Sequence, residues 1–81
     1  MNINQALSLR IREILKQKGM SQYRLEMRSG LYHSTLNCLL NCRYNSANIK
    51  TIFVIIQSLD ISVLEFFDSP LFANLNTINL D

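Results

Sequence analysis

His33, Cys38 and Cys42 fall within one short stretch and are the chain's most metal-like ligands. A structural zinc site needs four ligands at recognised spacings. No fourth ligand and no such spacing accompany these three, so no metal is expected and the cysteines read as a half-buried thiol pair. Two cysteines four apart on a helix are poorly placed for a mutual disulfide, and a cytoplasmic chain keeps its thiols reduced. Catalysis has little to start from. His33 is the one histidine, and no motif sets an acid beside it. There is no glycine-rich phosphate loop and no carboxylate pair on one helix face. A bundle this small has little room for a pocket of about 300 Å³ or more. No enzymatic activity, cofactor or small-molecule ligand is therefore expected. A different chemistry lies in His33, Ser34, Asn37, Cys38 and Asn41, which share one side of a helix. That face is polar and almost uncharged, rich in groups that donate and accept hydrogen bonds. A face that is merely solvated usually carries Lys and Glu. The stretch Cys42-Arg43-Tyr44-Asn45-Ser46 follows at once and is rich in groups able to reach a phosphate.

The charge distribution points the same way. The 81 residues carry a formal net charge of +2. Residues 1–50 hold all eight basic residues with only Glu13 and Glu26 as acids, for +6, whereas residues 51–81 hold four acids and no base, for −4. Such asymmetry suggests an anionic partner for the basic half. With 48% hydrophobic and 17% charged residues, the composition is that of a folded chain. The length allows one domain, and one this small buries only about 60% of the surface its unfolded chain exposes. No apolar run reaches the roughly 18 residues of a membrane span. The start MNINQALSLR has no apolar core behind a basic leader, so no secretory signal is expected, and the cytoplasm is the expected location.

Five helices must position these groups. Over about 5–18, Leu7, Ile11, Ile14 and Leu15 make an amphipathic stripe, and Gly19 stops it. Ser21 caps a short second helix, Gln22 to Ser29, with Leu25 as its core position. Gly30 supplies the positive φ of a tight turn. The third helix runs from Tyr32 or His33 to Asn41, with Leu36, Leu39 and Leu40 inward. The fourth covers about 48–59, with Ile49, Ile52, Ile55, Ile56 and Leu59 inward and Phe53 at the flank. Val54 falls on its opposite face: either the tail or a second subunit covers it, or it is a lone exposed valine. Asp60 tolerates the left-handed conformation. Ser62 and Glu65 form a capping box that opens a short fifth helix with Val63, Phe66 and Phe67, stopped by Pro70. The tail keeps Leu71, Phe72, Leu75, Ile78 and Leu80 and is expected to pack on its own domain or on a partner.

The fold class is therefore all-α, a five-helix bundle. Its second and third helices are joined by a few residues around Gly30, a pair that crosses steeply and projects the second member outward. Ser21-Gln22, Leu25, Gly30-Leu31, Ser34-Thr35-Leu36 and Asn45 resemble the helix-turn-helix of the phage Cro/repressor (XRE) family. Ile49, Ile52, Leu59 and Ile61-Ser62-Val63-Leu64-Glu65-Phe66-Phe67 resemble that family's last two helices. The ordered set over about residues 5–68 is more specific than any one match. Residues 1–68 are accordingly expected to form a lambda-repressor-like helix-turn-helix domain, with 69–81 as a C-terminal tail. Three positions depart from the pattern. Glu26 stands where a small alanine is usual, Ser29 where an apolar residue is usual, and Cys42 where glycine is common. A buried carboxylate is costly unless paired. Either Glu26 swings out to Arg43 or Arg24, or the helices sit slightly further apart.

The resemblance implies a sequence-specific double-stranded-DNA-binding regulator, a repressor, with its third helix in the major groove. It assigns phosphate contacts to Gln22, at the positive end of the second helix, and to Arg43, Tyr44 and Asn45 on the other flank. Arg10, Arg24, Arg28 and Lys50 stand behind them. It assigns base contacts to His33, Ser34, Asn37 and Cys38, with Thr35 half turned to the core. Asn suits the bidentate edge of adenine, and no arginine on this face is available for guanine, which suggests A·T-rich sites. Proteins of this class bind as two-fold dimers on half-sites about one helical turn apart. Val54, Phe66, Phe67, Leu71 and Phe72, with Phe53 nearby, form the expected homodimer surface. The apolar tail and Glu26 lend some weight to an alternative, an antitoxin-like or adaptor module that uses the same bundle for protein contacts.

Overall fold

The computed structural model describes residues 2–42 and 48–73. Five helices follow one another: α1 (Ile3–Lys18), α2 (Gln22–Ser29), α3 (His33–Leu40), α4 (Ile49–Ser58) and α5 (Val63–Phe67). A single 3₁₀ turn, Pro70–Phe72, comes last. Among the described residues there is no strand, and no helix is long and apolar enough to cross a membrane.

Most of these boundaries are set by side chains that satisfy the orphan N–H groups of a helix start. The Ser21 hydroxyl accepts from Arg24 N–H at 3.1 Å, Asn48 Oδ1 from Lys50 N–H at 2.8 Å, and the Ser62 hydroxyl from Glu65 N–H at 3.0 Å. α1 begins two residues earlier than its apolar periodicity suggests. Asn2 Oδ1 accepts from Gln5 N–H at 2.8 Å, while Gln5 Oε1 accepts from Asn2 N–H at 3.0 Å. This reciprocal cap lies ahead of Leu7, where the stripe starts. Gly19 turns left-handed at φ 62° to end α1. Cys42 (φ 56°) and Asp60 (φ 59°) adopt the same conformation without being glycine.

Inside the bundle, Leu7, Ile11, Ile14 and Leu15 of α1 meet Leu25, Leu36, Leu39, Leu40, Ile52, Ile55, Ile56, Leu59 and Phe66 in one apolar core. α1 packs on α3, α2 on α3 and α4, α4 on α5, and the 3₁₀ turn on α1. Ile49 departs from the expected stripe and is 64% exposed. As the first residue of α4 it leans back toward the helix start, beyond the cover that Ile52 receives.

Two arginines of α1 lock the bundle. Arg10, expected among the phosphate contacts, is buried. Its Nε donates to Phe66 O at 2.6 Å and its Nη2 to Glu65 O at 2.7 Å, while Nη1 pairs with Glu13. These bonds satisfy carbonyls of α5 and take the guanidinium out of reach of an external anion. Arg12 Nη2 donates to Leu40 O at 2.9 Å, and the Ser8 hydroxyl reaches the same carbonyl at 2.6 Å. Together they fix the end of α3 against α1.

The expected subunit contact also needs revision. Phe66 has no exposed surface and belongs to its own protomer's core, not to a subunit contact. Its ring meets Phe67 edge-on at 4.9 Å, and Phe67 meets Phe72 at 5.1 Å. Phe72 is thereby half-buried against its own core. The start of the tail packs on its own domain, which answers for 70–72 the question the sequence leaves open. Leu75, Ile78 and Leu80 lie outside the described residues. The exposed apolar residues of α5 are Leu64, Val63 and Phe67, and Phe53 of α4 is exposed as well. Val54 and Leu71 are half-buried.

Candidate nucleic-acid interface

Gly30, Leu31 and Tyr32 alone separate α2 from α3. Gly30 makes the turn at φ 74°, and its N–H donates to Glu26 O at 3.0 Å. Leu25 and Leu36 have no exposed surface, so each helix of the pair is pinned by its inner face, with Leu31 packed beside them. Ser29 has a polar role at the joint. Its hydroxyl accepts from Leu31 N–H at 3.2 Å and donates to Glu26 O at 3.4 Å, so a group that would be costly on an apolar face instead closes the end of α2.

With its inner side held, α3 presents the residues expected at base edges. His33 and Ser34 are exposed, Asn37 and Cys38 are half-buried, and Asn41 is exposed; Thr35 is half-buried. Asn41 Nδ2 donates to Asn37 Oδ1 at 3.0 Å and to Asn37 O at 2.8 Å. Asn37 Oδ1 is thus engaged on one side, and its amide N–H₂ is left to donate elsewhere. Tyr32 precedes α3 without capping it through its side chain. The first N–H groups of α3 therefore take no cap from Tyr32, and they stand at the positive end of the helix dipole.

Of the two arginines considered for Glu26, Arg43 lies outside the described residues and Arg24 is not its partner. The Glu26 side chain is 12% exposed, and Oε2 meets His33 Nδ1 at 2.7 Å and accepts from Gln22 Nε2 at 3.2 Å. The partners come from the same helix one turn earlier and from the start of the next helix. Sequence spacing within α2 finds the first partner; only the geometry of the turn brings the second.

Gln22 is half-buried at the start of α2, and Arg24, Arg28 and Lys50 are exposed. Arg43, Tyr44 and Asn45 lie outside the described residues. Cys38 and Cys42 are free thiols. No group of three or more His, Cys, Asp or Glu is placed to hold a metal among the described residues. The assembled feature is a short helix pair with an exposed hydrogen-bonding face. One end of that face is tied to the start of the preceding helix.

Residues 10–69 match the family model described as a Cro/C1-type HTH DNA-binding domain. That span runs from the middle of α1 to just past α5. Comparison with curated proteins and with solved structures finds no match.

Proposed function

This chain belongs to the Cro/C1-type helix-turn-helix DNA-binding family, and on that basis we propose that it is a sequence-specific repressor of transcription, acting in the cytoplasm as a homodimer with α3 in the major groove. The observation that carries this reading is the outer face of α3. It presents His33, Ser34, Asn37 and Asn41, polar and almost uncharged, on a helix whose other side is locked into the core. A major groove admits one helix and offers donors and acceptors to such side chains. His33, Ser34, Asn37 and Cys38 contact base edges. The free amide N–H₂ of Asn37 and the remaining lone pair of its Oδ1 suit adenine N7 and N6. With no arginine on the face to read guanine, A·T-rich sites are favoured.

Gln22 at the positive end of α2, and Arg43, Tyr44 and Asn45 after α3, grip phosphates on the two flanks. Arg24, Arg28 and Lys50 add positive charge nearby. Residues 1–68 form the DNA-binding domain and 69–81 its tail, and the role requires no catalysis. The dimer forms through α5, with Phe67 and the neighbouring Leu64, and with Val54, Leu71 and Phe72 at its margin.

A salt titration tests the reading. Log affinity for duplex DNA should fall linearly with log salt, by about 0.9 per phosphate neutralised. Arg43→Ala should reduce that slope by about 1 and weaken all sequences alike. Asn37→Ala should instead cost about 1–3 kcal/mol at particular base pairs and leave the slope unchanged. Binding that ignores salt, or a selection from random DNA that enriches no sequence, overturns it. The exposed Leu64 and Val63 favour a second reading, an adaptor that docks on protein; that reading gains if the wild type binds no duplex at low salt.

A further inference from the structure

Glu26 does not face outward, yet its one oxygen Oε2 holds both Gln22 at the start of α2 and His33 at the start of α3. Its side chain is 12% exposed and that of His33 is 73% exposed. The carboxylate is therefore the inner, fixed member of the pair and the imidazole the outer, presented one.

We infer that Glu26 is the positioning residue of the reading face: it fixes the His33 ring with Nδ1–H turned inward and Nε2 turned outward, and so sets which base edge His33 can accept. The inference rests on the reading above, that α3 enters the major groove. An ionised carboxylate only accepts, so the 2.7 Å contact requires the proton on Nδ1. In the neutral ring Nε2 is then a bare acceptor. In the groove an acceptor suits the N6 amino group of adenine or the N4 amino group of cytosine. It is mismatched with O6 and N7 of guanine and with O4 of thymine, which are acceptors themselves. The orienting bond on the second nitrogen does here what a carboxylate does for a histidine elsewhere, choosing the ring's tautomer from behind. Gln22 is held by the same oxygen, so the phosphate-side and base-side contacts share one anchor. The consequence is specific: a residue that touches no DNA determines the preference at the base pair His33 meets.

Two measurements test this. His33 is the only histidine, so its ring nitrogens can be observed by ¹⁵N NMR in the free protein without ambiguity. With the ring in its neutral form, Nδ1 should carry the proton and Nε2 should not. Glu26→Ala should restore the Nε2–H form that an unconstrained imidazole prefers. A wild-type ring protonated on Nε2 overturns the inference, whatever the protein binds.

The second measurement is selection from random duplex DNA, with the ring likewise neutral, for the wild type, Glu26→Ala, Glu26→Gln and His33→Ala. Adenine or cytosine should be enriched at the base lost in His33→Ala. Glu26→Ala should lose preference at that same base pair by roughly five- to tenfold, and leave the preference due to Asn37 intact. The double variant Glu26→Ala/His33→Ala should lose no more than His33→Ala alone. Glu26→Gln, whose amide oxygen still accepts from Nδ1–H, should recover most of the preference. If the wild type selects a sequence and Glu26→Ala keeps the His33-dependent preference, the inference is overturned while the DNA reading stands. If the wild type selects nothing, the DNA reading fails and the base-preference inference falls with it; the ring-nitrogen spectrum then reports separately whether the Glu26–His33 bond forms.

Discussion

Arg10 belongs to the architecture, although by type and by its position in the basic half it resembles the other cations of the chain. Its guanidinium spans from α1 to the carbonyls of Glu65 and Phe66 and to the carboxylate of Glu13. A planar fork with donors at fixed angles can serve several acceptors at once, which a single ammonium cannot. Arg10→Lys keeps the charge and loses the fork, leaving α5 carbonyls poorly satisfied in a buried place. It should lower unfolding free energy by about 1–2 kcal/mol in urea denaturation. The salt slope of DNA binding should stay unchanged. A phosphate-contacting arginine gives the reverse pattern, with stability untouched and the slope altered. Arg10 could not be read from the sequence because its main partners are backbone oxygens far along the chain, and a carbonyl is the same whatever residue carries it. His33 and Glu26 show the same limit: the types were legible, and their meeting depended on how the turn at Gly30 folds α3 back toward α2.

At the scale of elements the sequence speaks more clearly, because each signal is local. Apolar spacing in α1, α3 and most of α4 finds the buried faces, and Gly19, Ser21, Gly30 and Ser62 mark the ends. Two elements escape in part. The start of α1 depends on an Asn2–Gln5 cap outside the apolar stripe, and Ile49, the first residue of α4, lies exposed although it falls on the apolar stripe. The turns allow a sharper test. Gly30 sits at φ 74°, and a Cβ there would meet nothing within 4 Å. Gly30→Ala therefore isolates the backbone cost of the left-handed conformation. It should destabilise by about 1 kcal/mol, a fall in Tm of about 5 °C for a domain of this size. Cys42 holds the same conformation with a side chain, at φ 56°, and its thiol makes a long 3.8 Å contact to Asn4 O. Cys42→Gly should relieve the strain and, after the extra chain entropy of glycine, stabilise by about 0.5–1 kcal/mol. A loss of stability in that variant would mean that the thiol contact outweighs the backbone strain.

For the whole molecule, the question is what a chain of this size leaves uncovered once its core is closed. Phe66 and Phe72 are drawn inward, while Leu64 is left 84% exposed at the surface of α5, flanked by Val63 and Phe67. A lone exposed leucine is ordinary; a leucine, a valine and a phenylalanine together on one short helix form a patch that a second copy can cover. Two-fold symmetry brings each such residue into the contact twice. One α3 in one groove reads few base pairs, and two protomers on half-sites about one turn apart read enough to be specific. We therefore expect Leu64→Lys to weaken self-association on the order of 100-fold, since each of two copies loses apolar burial and gains a charge facing its mate. Sedimentation equilibrium measures this directly. The unfolding free energy of the monomer should change by no more than about 0.5 kcal/mol, because Leu64 lies outside the core. Affinity for a palindromic site should fall in the variant, and affinity for a single half-site should not. A wild type that sediments as a monomer at every concentration, with and without DNA, excludes the dimer and leaves α5 free for another partner.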